Sequence, residues 1–334
     1  MNYIEVRNEL ILKAAKTKTP IAGEIELTPA CNLSCVMCYV REKKPQKELT
    51  TEEWKKIIFE AKEAGLLFVL FTGGEIFLRK DFQEIYEYTY DLGIRISLFT
   101  NGSLINDQII AYLLKRKPDL IAITMYGVTS EQYKEVTGCG EAFYQIHENI
   151  RKLKKVQLPL VVRTIAIKTI YNNIDQIIEY FKNESLSVTY SLYVGPRRCN
   201  KQAAVKRLTP IELLDYEAKF QKAFGISHKI QANECEKGFS CVAGKSSYFI
   251  TWDAYLSPCA MLNTPREKIA SSFKEAWHRF IPKLQDIPLC EGYEECQYKK
   301  FCLQCPARRY LEGDFTKCSQ YLKDIAKLKM KQEL

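Results

Sequence analysis

Three cysteines fall at C-x3-C-x2-C spacing in the stretch Cys31-Asn32-Leu33-Ser34-Cys35-Val36-Met37-Cys38. Iron–sulfur clusters are held by cysteine thiolates, and a cubane 4Fe–4S cluster has four irons. Three neighbouring thiolates hold three irons and leave the fourth open. An open coordination position on a metal is where a substrate or cofactor binds, by the logic of catalytic zinc. Eight more cysteines crowd the last hundred residues, as Cys235-x5-Cys241-x17-Cys259 and Cys290-x5-Cys296-x5-Cys302-x2-Cys305-x12-Cys318. Eight suffice for two further, fully ligated clusters. The total of 13 cysteines is odd and clustered, which argues for metal rather than disulfides. Zinc is the competing metal, but it favours paired C-x2-C knuckles, and this half of the chain has one. Cys139 and Cys199 are left over and read as buried free thiols; Cys199 has the alternative of facing a substrate cavity. The histidines His147, His228 and His278 share no ligand spacing.

These groups need elements to position them. Gly23-Glu24-Ile25-Glu26-Leu27 alternates as a strand does and leads straight into Cys31. Further strands read at Leu67–Phe71, Ile94–Phe99, Leu120–Thr124, Leu160–Ile167 and Ser187–Val194. Helices read between them. Thr50 with Glu53 forms a capping box before Trp54–Ala64. Others run from Asp81 to Tyr90 and near Asn106–Leu114, Phe143–Lys155 and Asn173–Phe181. Six β/α units predict an α/β fold with a parallel sheet and right-handed crossovers. Six units rather than eight predict a partial (β/α)6 TIM-like barrel. In parallel barrels the functional loops follow the strand C-termini, where Cys31–Cys38 lies. The expected organisation is an N-terminal extension over 1–22, the core over 23–198, a bridging helical segment over 199–233 and a small cysteine-rich domain over 234–334. Residues 1–22 can supply one strand or helix. Thr209-Pro210 opens a helix to about Phe224.

The formal net charge is +9, spread along the chain. It reads as a solvated basic surface, with an acidic peptide or nucleic acid as the sharper alternative. No aromatic–basic RNA motif stands out, so nucleic acid is not the expected partner. Lys13, Lys16 and Lys18 interrupt the only apolar stretch near the N-terminus, unlike a signal peptide. The run Leu66–Phe71 is far short of the roughly 20 residues that span a bilayer. A soluble, cytoplasmic protein without membrane contact is expected.

The second strand ends in Phe71-Thr72-Gly73-Gly74-Glu75, where two glycines allow a ligand close to the backbone. Gly-Gly-Glu one strand after C-x3-C-x2-C resembles the radical S-adenosylmethionine (SAM) superfamily. The resemblance implies that Cys31, Cys35 and Cys38 hold the SAM-binding 4Fe–4S cluster. It implies that Gly73, Gly74 and Glu75 meet the amino group of the SAM methionine. Tyr39 matches the aromatic that often lies beside the adenine. Thr124 keeps the hydroxyl that family members often supply with serine at the fourth strand end. Arg163, set among apolar residues, is expensive to bury without a partner, and the SAM carboxylate is the partner expected. The implied chemistry is one-electron cleavage of SAM to methionine and a 5′-deoxyadenosyl radical, which takes a hydrogen atom from the substrate.

The C-terminal cysteines resemble a SPASM domain, an auxiliary-cluster module that follows radical SAM cores, most clearly at Cys302-Leu303-Gln304-Cys305-Pro306-Ala307. By that connectivity Cys235, Cys241, Cys259 and Cys305 hold auxiliary cluster I, and Cys290, Cys296, Cys302 and Cys318 hold cluster II. The chain departs from the family at three points. Ala254 replaces a glycine five residues before Cys259. Cys290-x5-Cys296 replaces C-x2-C, with Tyr293 at the nearer position, so Cys290 needs a looped backbone to be a ligand. Ala260 stands where members that oxidise a protein side chain to formylglycine place a catalytic aspartate, which speaks against that activity. SPASM-bearing enzymes mostly modify peptides, so the expectation is peptide maturation by crosslink, thioether or epimerisation. The alternative is a non-peptide substrate such as a tetrapyrrole side chain. Implied partners are a peptide substrate, a one-electron donor such as flavodoxin or ferredoxin, and, if a leader is recognised, a separate leader-peptide-binding protein.

Overall fold

The structure is a computed structural model that describes residues 3–40, 47–198, 201, 206–226, 239–302 and 304–333. Cys199, His228 and Cys235 lie outside the described residues. Six strands form the expected parallel sheet. They are β1 (Ala22–Glu26), β2 (Phe68–Thr72), β3 (Arg95–Thr100), β4 (Leu120–Thr124), β5 (Leu160–Ile165) and β6 (Val188–Ser191). They follow one another in spatial order, each parallel to the next. This is the partial (β/α)6 barrel read from the sequence.

One face of the sheet packs against the helices. Ile25, Phe71, Leu98, Ile121 and Val162 are fully buried there, with Trp54, Ile58, Ile85, Leu113 and Ile146 from the helices. Burying each such side chain contributes about 1.5–3 kcal/mol. The other face lines the barrel interior, so the polar half of the β1 alternation, Glu24 and Glu26, points inward rather than to bulk water. The capping box at Thr50 and Glu53 forms as expected and opens the helix Thr51–Glu63. A second box, at Thr209 and Glu212, opens Pro210–Phe224.

Two features differ from the sequence reading, and one open alternative is resolved. The helix Ser130–Thr137 was not anticipated, although Thr129 caps it and the left-handed Gly138 ends it; at eight residues it shows little periodicity. The sixth strand stops at Ser191 rather than Val194, because its ladder ends with the Ile165–Ser191 pair and the chain then bends over the barrel mouth. The extension folds as a helix, Tyr3–Thr17, whose Ile11 packs on Ile21 and Phe68.

The C-terminal part extends the same sheet. Strand β7 (Ser247–Ile250) pairs parallel with β1, and β8 (Tyr255–Ser257) and β9 (Glu267–Lys268) continue antiparallel. The turn from β7 to β8 carries Ala254 at φ 62, in the left-handed region. Glycine adopts that region freely and alanine does not. Ala254→Gly is expected to raise stability by about 1 kcal/mol by relieving this conformation, read as a higher urea midpoint at unchanged slope; a lower midpoint would show that the methyl packing outweighs the strain.

Candidate active site

A cavity of about 670 Å3 occupies the C-terminal end of the barrel. Cys31, Cys35 and Cys38 line one side, and Ala260 and Met261, which follow Cys259, line another. The cysteine loop is held by backbone bonds from the Ser34 and Val36 N–H groups to the Thr137 and Val136 carbonyls, both 2.9 Å. Its start lies flush on the end of β2. The Gly74 N–H donates to the Thr28 carbonyl and the Glu75 N–H to the Ala30 carbonyl, both 2.8 Å. A Cβ on Gly73 would meet the Thr28 carbonyl oxygen at 2.4 Å, and one on Gly74 the Ala30 oxygen at 2.1 Å. Both contacts are with backbone, so the two glycines are required by close approach of two chains.

Cys31 lies within electrostatic reach of Cys38, and Cys35 within reach of both. Burial raises the Cys31 thiol and pushes Cys35 up to about 12. The Tyr126 hydroxyl hydrogen-bonds Cys35. Asn101 Nδ2 approaches Cys31 Sγ at 3.8 Å and donates to Asn32 Oδ1 at 2.9 Å; Asn32 in turn donates to Ser103. Such outer partners orient metal-binding thiols. Neither Tyr126 nor Asn101 was singled out from sequence as a support of the cysteines; their place at strand ends three and four was the available signal.

Glu75 lies within electrostatic reach of Cys31. It is fully buried, and its carboxylate accepts from the Thr100 hydroxyl at 2.7 Å, the Asn101 N–H at 2.7 Å and the Phe77 N–H at 3.2 Å. It ties the end of β3 to the end of β2, and Gly73 and Gly74 of the same motif line the cavity. Tyr39, Thr124 and Arg163 also line it. Burial raises the Tyr39 hydroxyl's pKa, with Arg198 acting against it. Arg163 lies over the Phe99 ring at 4.1 Å and has no ion-pair partner among the described residues. Burial lowers its pKa. Across the interior, Glu24 lines the same cavity without a hydrogen bond to any described residue, its pKa raised by burial.

The C-terminal cysteines form two groups. Cys241, Cys259 and Cys305 lie within electrostatic reach of one another, with burial pushing Cys259 up to about 12. Cys302 and Cys318 are each coupled to Cys290 and Cys296. Two successive turns accommodate the unusual x5 spacing. The Tyr293 N–H donates to the Cys290 carbonyl at 3.1 Å and the Cys296 N–H to the Tyr293 carbonyl at 3.2 Å, with Gly292 at φ 68 between. Cys302 and Cys305, three residues apart, thus face different groups. All described cysteines are free thiols. Among the described residues no His, Cys, Asp or Glu set is arranged to hold a single metal ion. Thiols in groups, without carboxylate or imidazole, suit iron–sulfur clusters rather than zinc with mixed ligands.

A parallel barrel with three thiols at its C-terminal mouth and a glycine pair beside them defines a class of enzyme. Residues 25–196, about half the chain, match the Radical SAM superfamily, and the chain belongs to that family. The family carries a 4Fe–4S cluster and SAM. Over 342 aligned residues the chain is 28% identical to the AdoMet-dependent heme synthase of Methanosarcina barkeri, covering 92% of this chain and 97% of that protein. It is 25% identical over 256 residues to the sporulation killing factor maturation protein SkfB of Bacillus subtilis, covering 74% of this chain and 62% of the relative. The fold is like that of Streptococcus suis SuiB bound to S-adenosylmethionine, with TM-score 0.71 at 16% identity over 96% of this chain and 82% of that one. No helix among the described residues is long and apolar enough to cross a membrane.

Proposed function

We propose that this enzyme matures a peptide by hydrogen abstraction, using Cys31, Cys35 and Cys38 for the SAM-binding cluster and the eight C-terminal cysteines for two auxiliary clusters. Cluster I takes Cys235, Cys241, Cys259 and Cys305; cluster II takes Cys290, Cys296, Cys302 and Cys318. Held by Cys31, Cys35 and Cys38, a 4Fe–4S cluster would supply the one-electron reduction that cleaves SAM and so provide the means of hydrogen abstraction from the substrate. The protein binds and orients. Gly73, Gly74 and Glu75 meet the methionine amino group, Arg163 holds its carboxylate, Thr124 offers a hydroxyl to the ribose, and Tyr39 flanks the adenine. The observation that carries the substrate class is the charge of the cavity lining. Its described residues include one cation without an ion-pair partner, Arg163, and one acid, Glu24. With Arg163 engaged by SAM, little cationic surface remains for a substrate bearing several carboxylates. SkfB, a maturation protein by name, and SuiB, also solved bound to precursor peptide SuiA, support the peptide reading.

A second reading, action on a tetrapyrrole side chain, is favoured by the near full-length likeness to the heme synthase. Co-expression with any short cysteine-rich peptide whose gene adjoins that of the enzyme separates the two. Mass spectrometry is expected to show loss of two hydrogen atoms for a crosslink or thioether, or uptake of solvent deuterium for an epimer. An unmodified peptide, together with a tetrapyrrole carboxylic acid that stimulates 5′-deoxyadenosine formation by the reduced, reconstituted enzyme, would replace the peptide reading with the second.

A further inference from the structure

Arg198 follows Pro196 at the cavity rim by two residues and lies 6% exposed, paired with Glu26 at 1%. Its Nη2 contacts both Glu26 carboxylate oxygens, at 3.1 and 3.0 Å. Its Nη1 donates to the Ala260 carbonyl at 3.2 Å. Its backbone N–H donates to the Tyr39 carbonyl at 3.1 Å, and its own carbonyl accepts from Asn263 Nδ2 at 3.1 Å. One residue therefore touches the strand that leads into Cys31, the residue after Cys38 and the residue after Cys259. These lie far apart in sequence and on different sides of the cavity.

We propose that Arg198 is a positioning residue that sets the auxiliary loop after Cys259 against the Cys31–Cys38 loop, and so tunes the cluster held by Cys259. The inference rests on the reading that these cysteines hold clusters. A guanidinium suits this task because its planar fork serves the Glu26 carboxylate and the Ala260 carbonyl at once, which an ammonium does not. Outer-shell contacts of this kind orient metal ligands and shift the properties of the metal. A side-chain substitution cuts the Glu26 and Ala260 contacts and leaves the backbone bond to Tyr39. Its effect is therefore expected on the auxiliary side.

The test uses full-length, reconstituted protein with Cys31, Cys35 and Cys38 replaced by alanine, so that only auxiliary clusters report. Glu26→Gln with Arg198→Gln removes both charges and leaves no unpaired buried ion. Iron content is expected to stay at the level of the parent, while the electron paramagnetic resonance spectrum and the midpoint potential of an auxiliary cluster shift. Arg198→Lys alone, which keeps the charge but not the planar fork, is a second variant for the same readouts and is expected to retain iron and to shift the spectrum and potential likewise. Unchanged spectra and potential in a folded, iron-loaded variant would overturn the inference, as would loss of fold in both variants, which assigns Arg198 to stability alone. A parent without iron would overturn the auxiliary-cluster reading itself, a distinct result.

Discussion

With Cys31, Cys35 and Cys38 all replaced by alanine, 5′-deoxyadenosine formation is expected to fall to background while about two thirds of the iron remains. Three cubanes of four irons give about twelve per chain, and the variant should retain about eight. The separation follows from where the thiols sit. Cys31, Cys35 and Cys38 share one loop at the barrel mouth, whereas Cys241, Cys259 and Cys305 group among themselves, as do Cys290, Cys296, Cys302 and Cys318. The loop itself should survive, because the Ser34 and Val36 N–H bonds to the helix ending at Thr137 involve no cysteine side chain. Iron analysis and chromatography of the nucleoside check both halves. Retained SAM cleavage would move the SAM site elsewhere. Complete loss of iron in a folded variant would mean that the C-terminal cysteines hold none.

The cysteine loop was legible in sequence because its three cysteines sit within eight residues and spacing alone reports them. The glycine pair was legible too, but its reason was not: the structure shows Gly73 and Gly74 pressed on the Thr28 and Ala30 carbonyls, a contact across more than forty residues. Glu75 has a second part that its motif did not report, since its carboxylate also holds the Thr100 hydroxyl and the Asn101 N–H. The alternation in β1 gave the strand but not which medium each face meets. Glu24 and Glu26 look like a solvent-facing pair, and inside a barrel they face a cavity and a buried arginine. Arg198 carried no signal at all, because its partners Glu26, Tyr39 and Ala260 come from three distant segments. The β/α rhythm revealed the six parallel strands; β7, which joins β1 from far along the chain, breaks that rhythm and was not read as part of the sheet.

Arg163→Gln is expected to weaken SAM binding and to stabilise the ligand-free protein, two effects of opposite benefit from one change. The guanidinium is half-buried beside Phe99 and has no anionic partner among the described residues within ion-pair distance, with Glu24 acting on it only through the cavity. An ion taken out of water without a partner costs several kcal/mol. The cation–π contact recovers about 1–2 kcal/mol of that. A ligand carboxylate would provide the rest, so the cost is carried in the free protein and relieved on binding. Removing one side of a buried, hydrogen-bonded charge pair costs about 2–5 kcal/mol of binding, so KM for SAM should rise by at least roughly 30-fold, the lower end by the tenfold-per-1.4 kcal/mol relation. The maximal rate of uncoupled SAM cleavage should change far less, because Arg163 touches no reacting atom in this reading. Thermal unfolding without SAM should shift upward, since sites arranged for function hold groups that stability alone would not keep. A KM for SAM within about twofold of the parent would remove Arg163 from the SAM site and leave its charge for the substrate. A lower unfolding temperature would show that the guanidinium is already satisfied in the free protein, and the unpaired-cation argument would fail with it.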